Sequence, residues 1–123
     1  MTNKLEIYKC EVCGNIVELV HTGQGELVCC GQPMVKQDEK VDEENLTEKH
    51  RPIIESGENT KVKIGSVPHP MEEQHYIEWV EIISGKEVCR HEFLPGDRAE
   101  NTFCSKNADY ARAYCNIHGL WKS

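Results

Sequence analysis

The second half of the chain alternates polar and apolar residues in short runs, a pattern typical of β-strands. Residues 61–64 (KVKI) alternate strictly, and residues 76–83 (YIEWVEII) are rich in β-branched and aromatic side chains. Residues 88–94 and 110–114 are weaker strand candidates. Turn dipeptides separate these runs at Ser56-Gly57, Ser84-Gly85 and Pro95-Gly96. Because no run has a sustained 3.6-residue apolar period, the pattern predicts a small β-sandwich or barrel.

The first 35 residues have a different character, since they contain four cysteines and no long apolar run. Residues 36–49 (KQDEKVDEENLTEK) then carry six acids and three bases, which predicts a solvated linker or surface loop. We therefore predict three segments. A small metal module spans residues 1–36, a linker spans 37–49, and a β domain spans 50–123.

The composition of the 123-residue chain argues against several classes of function. Hydrophobic residues make up 38% and charged residues 28%, and the net charge is −7. Because the chain has no basic stripe, we expect no binding to nucleic acid. No run approaches the ~20 apolar residues of a membrane span, and the N-terminus lacks a signal-peptide core, so we expect a cytoplasmic protein with no membrane partner. Seven cysteines in a reducing compartment favour metal ligation over disulfides.

Four of the cysteines form two close pairs. Cys10 and Cys13 enclose two residues and precede a glycine, which allows a tight turn with backbone N–H groups directed at sulfur. Cys29 and Cys30 are adjacent, and neighbouring side chains diverge. Both can bind one ion only with a strained backbone and a distorted tetrahedron. Spacing alone leaves zinc and iron equally open, and a module this small needs its metal to fold.

A second group of potential ligands lies in the β domain. Cys115 and His118 have Cys-x-x-His spacing, which brings sulfur and imidazole together in one turn. His69 is held between two prolines, which suits a ligand on a loop. His50 and His75 complete the group. The residues alone indicate a metal site and leave the metal open.

Four other residues have no such context. We interpret His21 and His91 as structural or exposed. We expect Cys89 and Cys104 to be buried small apolar residues, and a disulfide between them is left open.

At these motifs the sequence resembles the desulfoferrodoxin family, and the resemblance spans nearly the whole chain. Residues 8–17 (YKCEVCGNIV) and 29–31 (CCG) are similar to the desulforedoxin-type module. The segments similar to desulfoferrodoxin are residues 48–52 (EKHRP), 65–79 (GSVPHPMEEQHYIEW) and 114–119 (YCNIHG).

The resemblance implies a mainly β protein, in which a small rubredoxin/desulforedoxin-like metal module precedes an immunoglobulin-like β-sandwich. It implies two non-haem irons per chain and superoxide reductase activity, with a rubredoxin-like electron donor and a homodimer. In the first iron centre, an Fe(Cys)4 site, the ligands would be Cys10, Cys13, Cys29 and Cys30. In the second, an Fe(His)4(Cys) site, they would be His50, His69, His75, His118 and the axial thiolate of Cys115.

The resemblance also assigns roles beside the second centre. Glu48 would occupy the sixth position of oxidised iron, and Lys49 would attract superoxide. Two positions depart from the family, since Leu120 replaces a frequent histidine and Arg51 a commonly uncharged residue. The alternatives are a zinc-ribbon-type binding module and a simple electron carrier.

Overall fold

The computed structural model describes residues 2–105 and 107–123. The chain divides into two compact units, Met1–Asp38 and Glu39–Ser123. The domain boundaries proposed from the sequence, 36/37 and 49/50, stay a prediction. No helix in the described part of the chain is long and apolar enough to cross a membrane.

Residues 2–38 of the first unit form five very short strands. A three-stranded antiparallel sheet has the order β2-β1-β5, and β3 and β4 form a separate pair. Of the described apolar side chains in this unit, those of Ile7 and Cys10 are buried. Such a small apolar core cannot by itself offset the entropy of ordering the chain. The strands are β1 Ile7–Lys9, β2 Ile16–Glu18, β3 Val28–Cys29, β4 Gln32–Pro33 and β5 Val35–Lys36.

In its described residues, the second unit contains one helical turn and seven strands in two antiparallel sheets. One sheet has the order β10-β7-β6 and the other β12-β11-β8-β9. The elements are α1 Thr47–His50, β6 Pro52–Glu55, β7 Thr60–Ile64, β8 Ile77–Ser84, β9 Glu87–Glu92, β10 Glu100–Phe103, β11 Tyr110–Cys115 and β12 Gly119–Lys122.

The two sheets enclose one apolar core. Val62 and Ile64 of β7 pack in a single cluster with Val80 and Ile82 of β8, and Cys115 of β11 belongs to the same cluster. This two-layer packing confirms the predicted mainly β fold with a sandwich in the second unit. The alternation of residues 61–64 is confirmed as well, because burial along β7 alternates strictly.

Strand β8 is buried on both of its faces, which explains its near-continuous apolar sequence. On the face away from the core, Glu81 is fully buried and accepts a 2.8 Å hydrogen bond from Nε of Arg112 in β11. Nε of Arg90 in β9 lies 3.3 Å from the other oxygen of this carboxylate. A buried carboxylate is tolerated here because two guanidinium groups neutralise it.

Parts of the segment predicted as a linker are regular structure. Lys40 forms a parallel β-bridge with Trp121 of β12, and residues 47–50 form α1. The side chain of Thr47 stabilises the approach to α1, since its hydroxyl accepts from the backbone N–H of Glu43 at 2.8 Å and donates to Asp42 at 2.7 Å.

Candidate metal centres

The four cysteines of the first unit converge on one point. The sulfur atoms of Cys10, Cys13, Cys29 and Cys30 all lie within 4.8 Å of one another. The Sγ atoms of Cys13 and Cys29 are 3.6 Å apart, and those of Cys29 and Cys30 are 4.0 Å apart. Four sulfurs at these separations form a donor set for a tetrahedral thiophilic ion.

The backbone makes this convergence possible at two points. Gly14 has a φ of +85°, which closes the turn after Cys13 and leaves the Cys13 N–H directed at Cys10 Sγ, 3.5 Å away. Cys30 has a φ of +52°, a region that residues with a Cβ rarely adopt. The strain predicted for adjacent cysteine ligands is therefore confirmed. Asn15 adds a contact that the sequence did not reveal, from its Nδ2 to Cys29 Sγ at 3.8 Å.

The thiols of this cluster cannot all ionise on their own. The backbone N–H of Cys13 lowers the pKa of Cys10 to about 6. The Cys13 side chain raises the pKa of Cys30 to about 12 and also raises that of Cys29. One thiolate is thus favoured and the next ones are opposed, as expected when like charges crowd. A divalent or trivalent cation removes this conflict, so the cluster fits a metal ion.

Four histidines and one cysteine converge in the second unit. Donor atoms of His50, His69, His75 and Cys115 lie within 4.8 Å of one another. Nδ1 of His118 lies 3.1 Å from Nε2 of His50 and 3.9 Å from Sγ of Cys115. The structure therefore brings together all five residues that the sequence indicated.

Two of the imidazoles are oriented by backbone carbonyls. Nδ1 of His50 lies 2.8 Å from the carbonyl oxygen of Leu46, and Nδ1 of His69 lies 2.6 Å from that of Pro70. Since a carbonyl only accepts, each Nδ1 carries the proton and each Nε2 presents a lone pair. These two Nε2 atoms are 3.0 Å apart. Two facing lone pairs repel unless a cation lies between them, so this geometry fits a bound metal.

A third imidazole gives independent support for a metal. Nε2 of His75 is buried and has no hydrogen-bond partner within the described residues. Such a nitrogen is destabilising unless a ligand binds it. Burial lowers the pKa of His50, His69 and His75, that of His69 to about 4. These rings are therefore neutral near pH 7, the form that binds metal.

Cys115 lies at an irregularity in the sheet. Pairing between β11 and β8 shifts register between Tyr114 and Cys115, at the end of β11. The backbone N–H of His118 then lies 3.4 Å from Cys115 Sγ. Burial raises the pKa of this thiol, so its thiolate form requires a nearby cation.

The turn that follows Cys115 is hydrogen-bonded to the loop that carries His75 and to Trp121 of β12. Asn116 accepts from the backbone N–H of Tyr76 at 3.0 Å and donates to the carbonyl of Gln74 at 3.1 Å, so it connects the turn to the loop that carries His75. The indole N–H of Trp121 donates to the carbonyl of His118 at 3.1 Å. Its ring stacks on His50 with centroids 5.1 Å apart.

Lys40 also contacts this turn, and sequence analysis missed it. Its ammonium donates to the same His118 carbonyl at 3.2 Å. Nothing in the sequence separates Lys40 from the other charged residues of its segment. Asn116 and Trp121, by contrast, lie in or beside a recognisable motif.

Glu48 and Lys49 lie on α1, immediately before the buried His50, and both are exposed. Burial is the main cause that lowers the pKa of His75, and the positive charge of Lys49 contributes. Lys49 is thus close enough to act electrostatically on the cluster. Its ammonium forms no ion pair with any described residue.

The position of α1 depends on a close approach of Gly65. A Cβ at Gly65 would lie 2.5 Å from the carbonyl oxygen of Glu48 and 2.7 Å from backbone atoms of Lys49, and its φ is +84°. The backbone N–H of Gly65 donates to the carbonyl of Arg51 at 3.1 Å, and that of Val67 donates to the carbonyl of Glu48 at 3.2 Å. The backbone that carries Glu48 and Lys49 is therefore fixed by its neighbour.

The remaining histidines and cysteines lie outside both clusters. His21 and His91 are exposed, in agreement with their interpretation. The expectation that Cys89 and Cys104 are buried is wrong, because both are exposed, and both are free thiols. Cys89 lies on β9, an edge strand whose six residues are all exposed.

Comparison with known proteins agrees with this geometry. Residues 34–123 match the family described as desulfoferrodoxin, and residues 2–37 match the desulfoferrodoxin N-terminal domain. A desulfoferrodoxin homolog of Archaeoglobus fulgidus is 57% identical over 126 residues, which cover 100% of this chain and 99% of the relative. The desulfoferrodoxin of Nitratidesulfovibrio vulgaris is 51% identical and is covered to 98%.

A solved structure extends the agreement to three dimensions. The superoxide reductase of Treponema pallidum is 26% identical and superposes with a TM-score of 0.78, over 100% of this chain and 99% of that one. The four-cysteine cluster and the cluster of four histidines and one cysteine match the two iron centres of desulfoferrodoxin. The chain belongs to the desulfoferrodoxin family.

Proposed function

We propose that the chain is a superoxide reductase, in which one superoxide, one electron and two protons give one hydrogen peroxide. The observation that carries this proposal is the convergence of four imidazoles and one thiol beside an exposed lysine. The similarity to the Treponema superoxide reductase supports it.

The ligands in this proposal are those that the two clusters contain. The first iron would be held by Cys10, Cys13, Cys29 and Cys30. The second would be held by His50, His69, His75, His118 and Cys115. Iron bound by four neutral imidazoles and one thiolate would supply one-electron chemistry, a net charge of about +1 in the ferrous state and room to bind a small anion.

The protein residues prepare this site before substrate arrives. The carbonyls of Leu46 and Pro70 hold the rings of His50 and His69 in the tautomer that exposes Nε2. Burial keeps these rings neutral. Lys49 attracts the superoxide anion, and Glu48, which precedes it on α1, would be the carboxylate that binds the oxidised metal.

The first centre has a different task. Four thiolates would satisfy a thiophilic ion and leave no position for substrate, so this centre would store or relay electrons. We propose a small rubredoxin-like protein as the donor, a homodimeric assembly and a cytoplasmic location. The segments 1–36, 37–49 and 50–123 are the proposed module, linker and reductase domain.

Metal analysis with optical spectroscopy tests the proposal. Protein purified from iron-replete cells should contain two irons per chain and show thiolate-to-iron charge-transfer bands from both centres. It should also consume superoxide and form one hydrogen peroxide for each superoxide when a reductant is supplied.

Two other functions give different results in the same experiment. A zinc-ribbon-type binding module would contain stoichiometric zinc and no charge-transfer bands, even in iron-replete material. A simple electron carrier would contain both irons and would not accelerate the loss of superoxide.

A further inference from the structure

We propose that Lys40 is a positioning residue of the second metal centre, which anchors the turn carrying Cys115 and His118 and raises the reduction potential of the iron. The inference deepens the proposed function and rests on it, because it takes the second cluster to be an iron site. Lys40 lies in the charged segment that the sequence predicts to be a linker.

The backbone of Lys40 is fixed against β12. Its N–H donates to the carbonyl of Leu120 at 3.0 Å, and its carbonyl accepts from the N–H of Lys122 at 2.8 Å. Together with the parallel bridge to Trp121, these bonds make Lys40 a one-residue extension of the sheet. The side chain therefore starts from a defined position beside the β11–β12 turn.

The ammonium of Lys40 has three neighbours around this turn. Nζ lies 3.2 Å from the carbonyl oxygen of His118, 2.9 Å from a carboxylate oxygen of Glu43, and 5.7 Å from the ring centroid of Trp121. The His118 carbonyl thus accepts from both the lysine and the Trp121 indole. Two donors on one carbonyl, one of them charged, restrict the rotation of the peptide that carries the imidazole.

The charge of Lys40 lies close to the ligands themselves. Its ammonium is 3.2 Å from the main-chain carbonyl of the ligand His118, which follows the ligand Cys115 by three residues. A cation this close to the site favours the ferrous state over the ferric state, because the reduced site carries one positive charge less. Removing this charge should therefore make the iron harder to reduce.

An equilibrium redox titration of the holoprotein, followed at the charge-transfer band of the second centre, tests this role. Lys40→Met keeps the aliphatic stem against Trp121 and removes the charge and the donor. We expect the equilibrium constant for one-electron reduction to fall roughly three- to tenfold, where tenfold corresponds to about 59 mV. Lys40→Arg keeps both charge and donor and should restore the wild-type potential.

Two further variants separate a local effect from a change in net charge. Lys61 lies on β7 in the other sheet, and its Nζ is 2.7 Å from the carboxylate of Glu100 on β10. Lys61→Met therefore removes the same charge and a similar ion pair at a different place. It should leave the potential unchanged. Glu43→Gln removes the counter-charge of Lys40 and should raise the potential, and it keeps the test decisive if Lys40→Met fails to fold.

The proposal is overturned if the potential is the same in wild type and Lys40→Met, if Lys61→Met shifts it equally, or if Lys40→Arg behaves like Lys40→Met. A lower potential in Glu43→Gln would also overturn it. The superoxide reductase assignment fails separately, since a two-iron protein that reduces no superoxide still gives a potential for each variant. An unchanged potential with normal superoxide reduction removes only the role of Lys40.

Discussion

The two units bind metal in opposite relations to folding. The first unit has strands of two or three residues and exposes Val12, Val20 and Val28, so little apart from the metal can hold its loops together. The second unit has two packed sheets and a continuous apolar core. Its ligands are attached to a scaffold that folds by ordinary burial. The first unit therefore depends on its metal for folding, whereas the second unit can fold without one.

The donor atoms of the two sites also differ in how far they are prepared to bind a metal. The first site requires thiols that oppose one another's ionisation, as the raised pKa values of Cys29 and Cys30 indicate. The second site requires mainly imidazoles, and burial keeps those of His50 and His69 neutral near pH 7 while backbone carbonyls orient them. Preorganisation is therefore a property of the second site, and metal-driven assembly a property of the first.

Removal of both metals should produce the largest difference between the units. We expect amide hydrogen exchange in a chelator-treated, reduced protein to show complete loss of protection in β1, while β8 and β11 stay protected. The reason is that the first unit buries almost no apolar surface without its ion. A metal-free first unit with native protection would contradict this comparison.

Replacing the thiolate of the second site should have the next largest effect. Cys115→Ser places a hydroxyl that stays protonated where a buried sulfur ligand lay, so it should remove the charge-transfer band of this centre. We expect superoxide reduction to slow by at least about 100-fold, the range found when one group at a reacting centre is lost. Pulse radiolysis measures the rate.

Cys89→Ser is the matched control for this change. It alters an exposed thiol on β9 and should leave both the rate and the spectrum unchanged. If Cys115→Ser reduced superoxide at the rate of the control, the thiol would not be part of the reacting site.

Loss of Lys49 should have an intermediate effect. A chain of net charge −7 repels superoxide as a whole, so local attraction is needed at the site. Lys49→Ala should lower the second-order rate by about tenfold and flatten its dependence on ionic strength, with the iron spectrum unchanged. In the wild type the rate should fall as salt rises, because the Debye length is about 10 Å at 0.1 M.

A control for Lys49 removes the same charge elsewhere. Lys86 follows β8 at the end away from His75, so Lys86→Ala should retain the wild-type rate and salt dependence. A wild-type rate that rises with salt, or an equal rate in Lys49→Ala and Lys86→Ala, would show that Lys49 does not guide the substrate.

Disrupting the first site should have the smallest effect on a single turnover. Cys13→Ser removes one of four thiols there and leaves every ligand of the second site in place. Superoxide mixed with prereduced protein should react at the wild-type rate within about twofold, whereas transfer of further electrons should slow. Loss of the single-turnover reaction while the second iron stays bound would make the first centre obligatory.

The sequence predicts those features of the fold and the sites that follow from a local pattern of residues. Alternation predicted β7, and a dense β-branched and aromatic run predicted β8. Adjacent cysteines predicted strain, which the positive φ of Cys30 confirms. The grouping of the second-site donors followed from the Cys-x-x-His spacing and from resemblance to a family, since separation along the chain does not determine proximity.

The short strands, the exposure of Cys89 and the contacts of Lys40 depend on tertiary structure, which no local sequence pattern predicts. Strands β6, β10 and β12 have four residues each, too few for a period to be recognised. Cys89 was expected inside because free cysteine is usually buried, yet β9 is an edge strand. Lys40 gains its contacts only when its segment returns to lie beside β12.

The close approach of Gly65 has a consequence for how this protein can evolve. The segment just before His50 is held by main-chain contacts, in which Gly65 lies against the peptides of Glu48 and Lys49. Any mutation at position 65 adds a Cβ and displaces the segment that carries those two side chains, however suitable the new side chain is. Position 65 is therefore closed to variation, and changes beside the second centre are left to side chains such as that of Lys49, which is exposed.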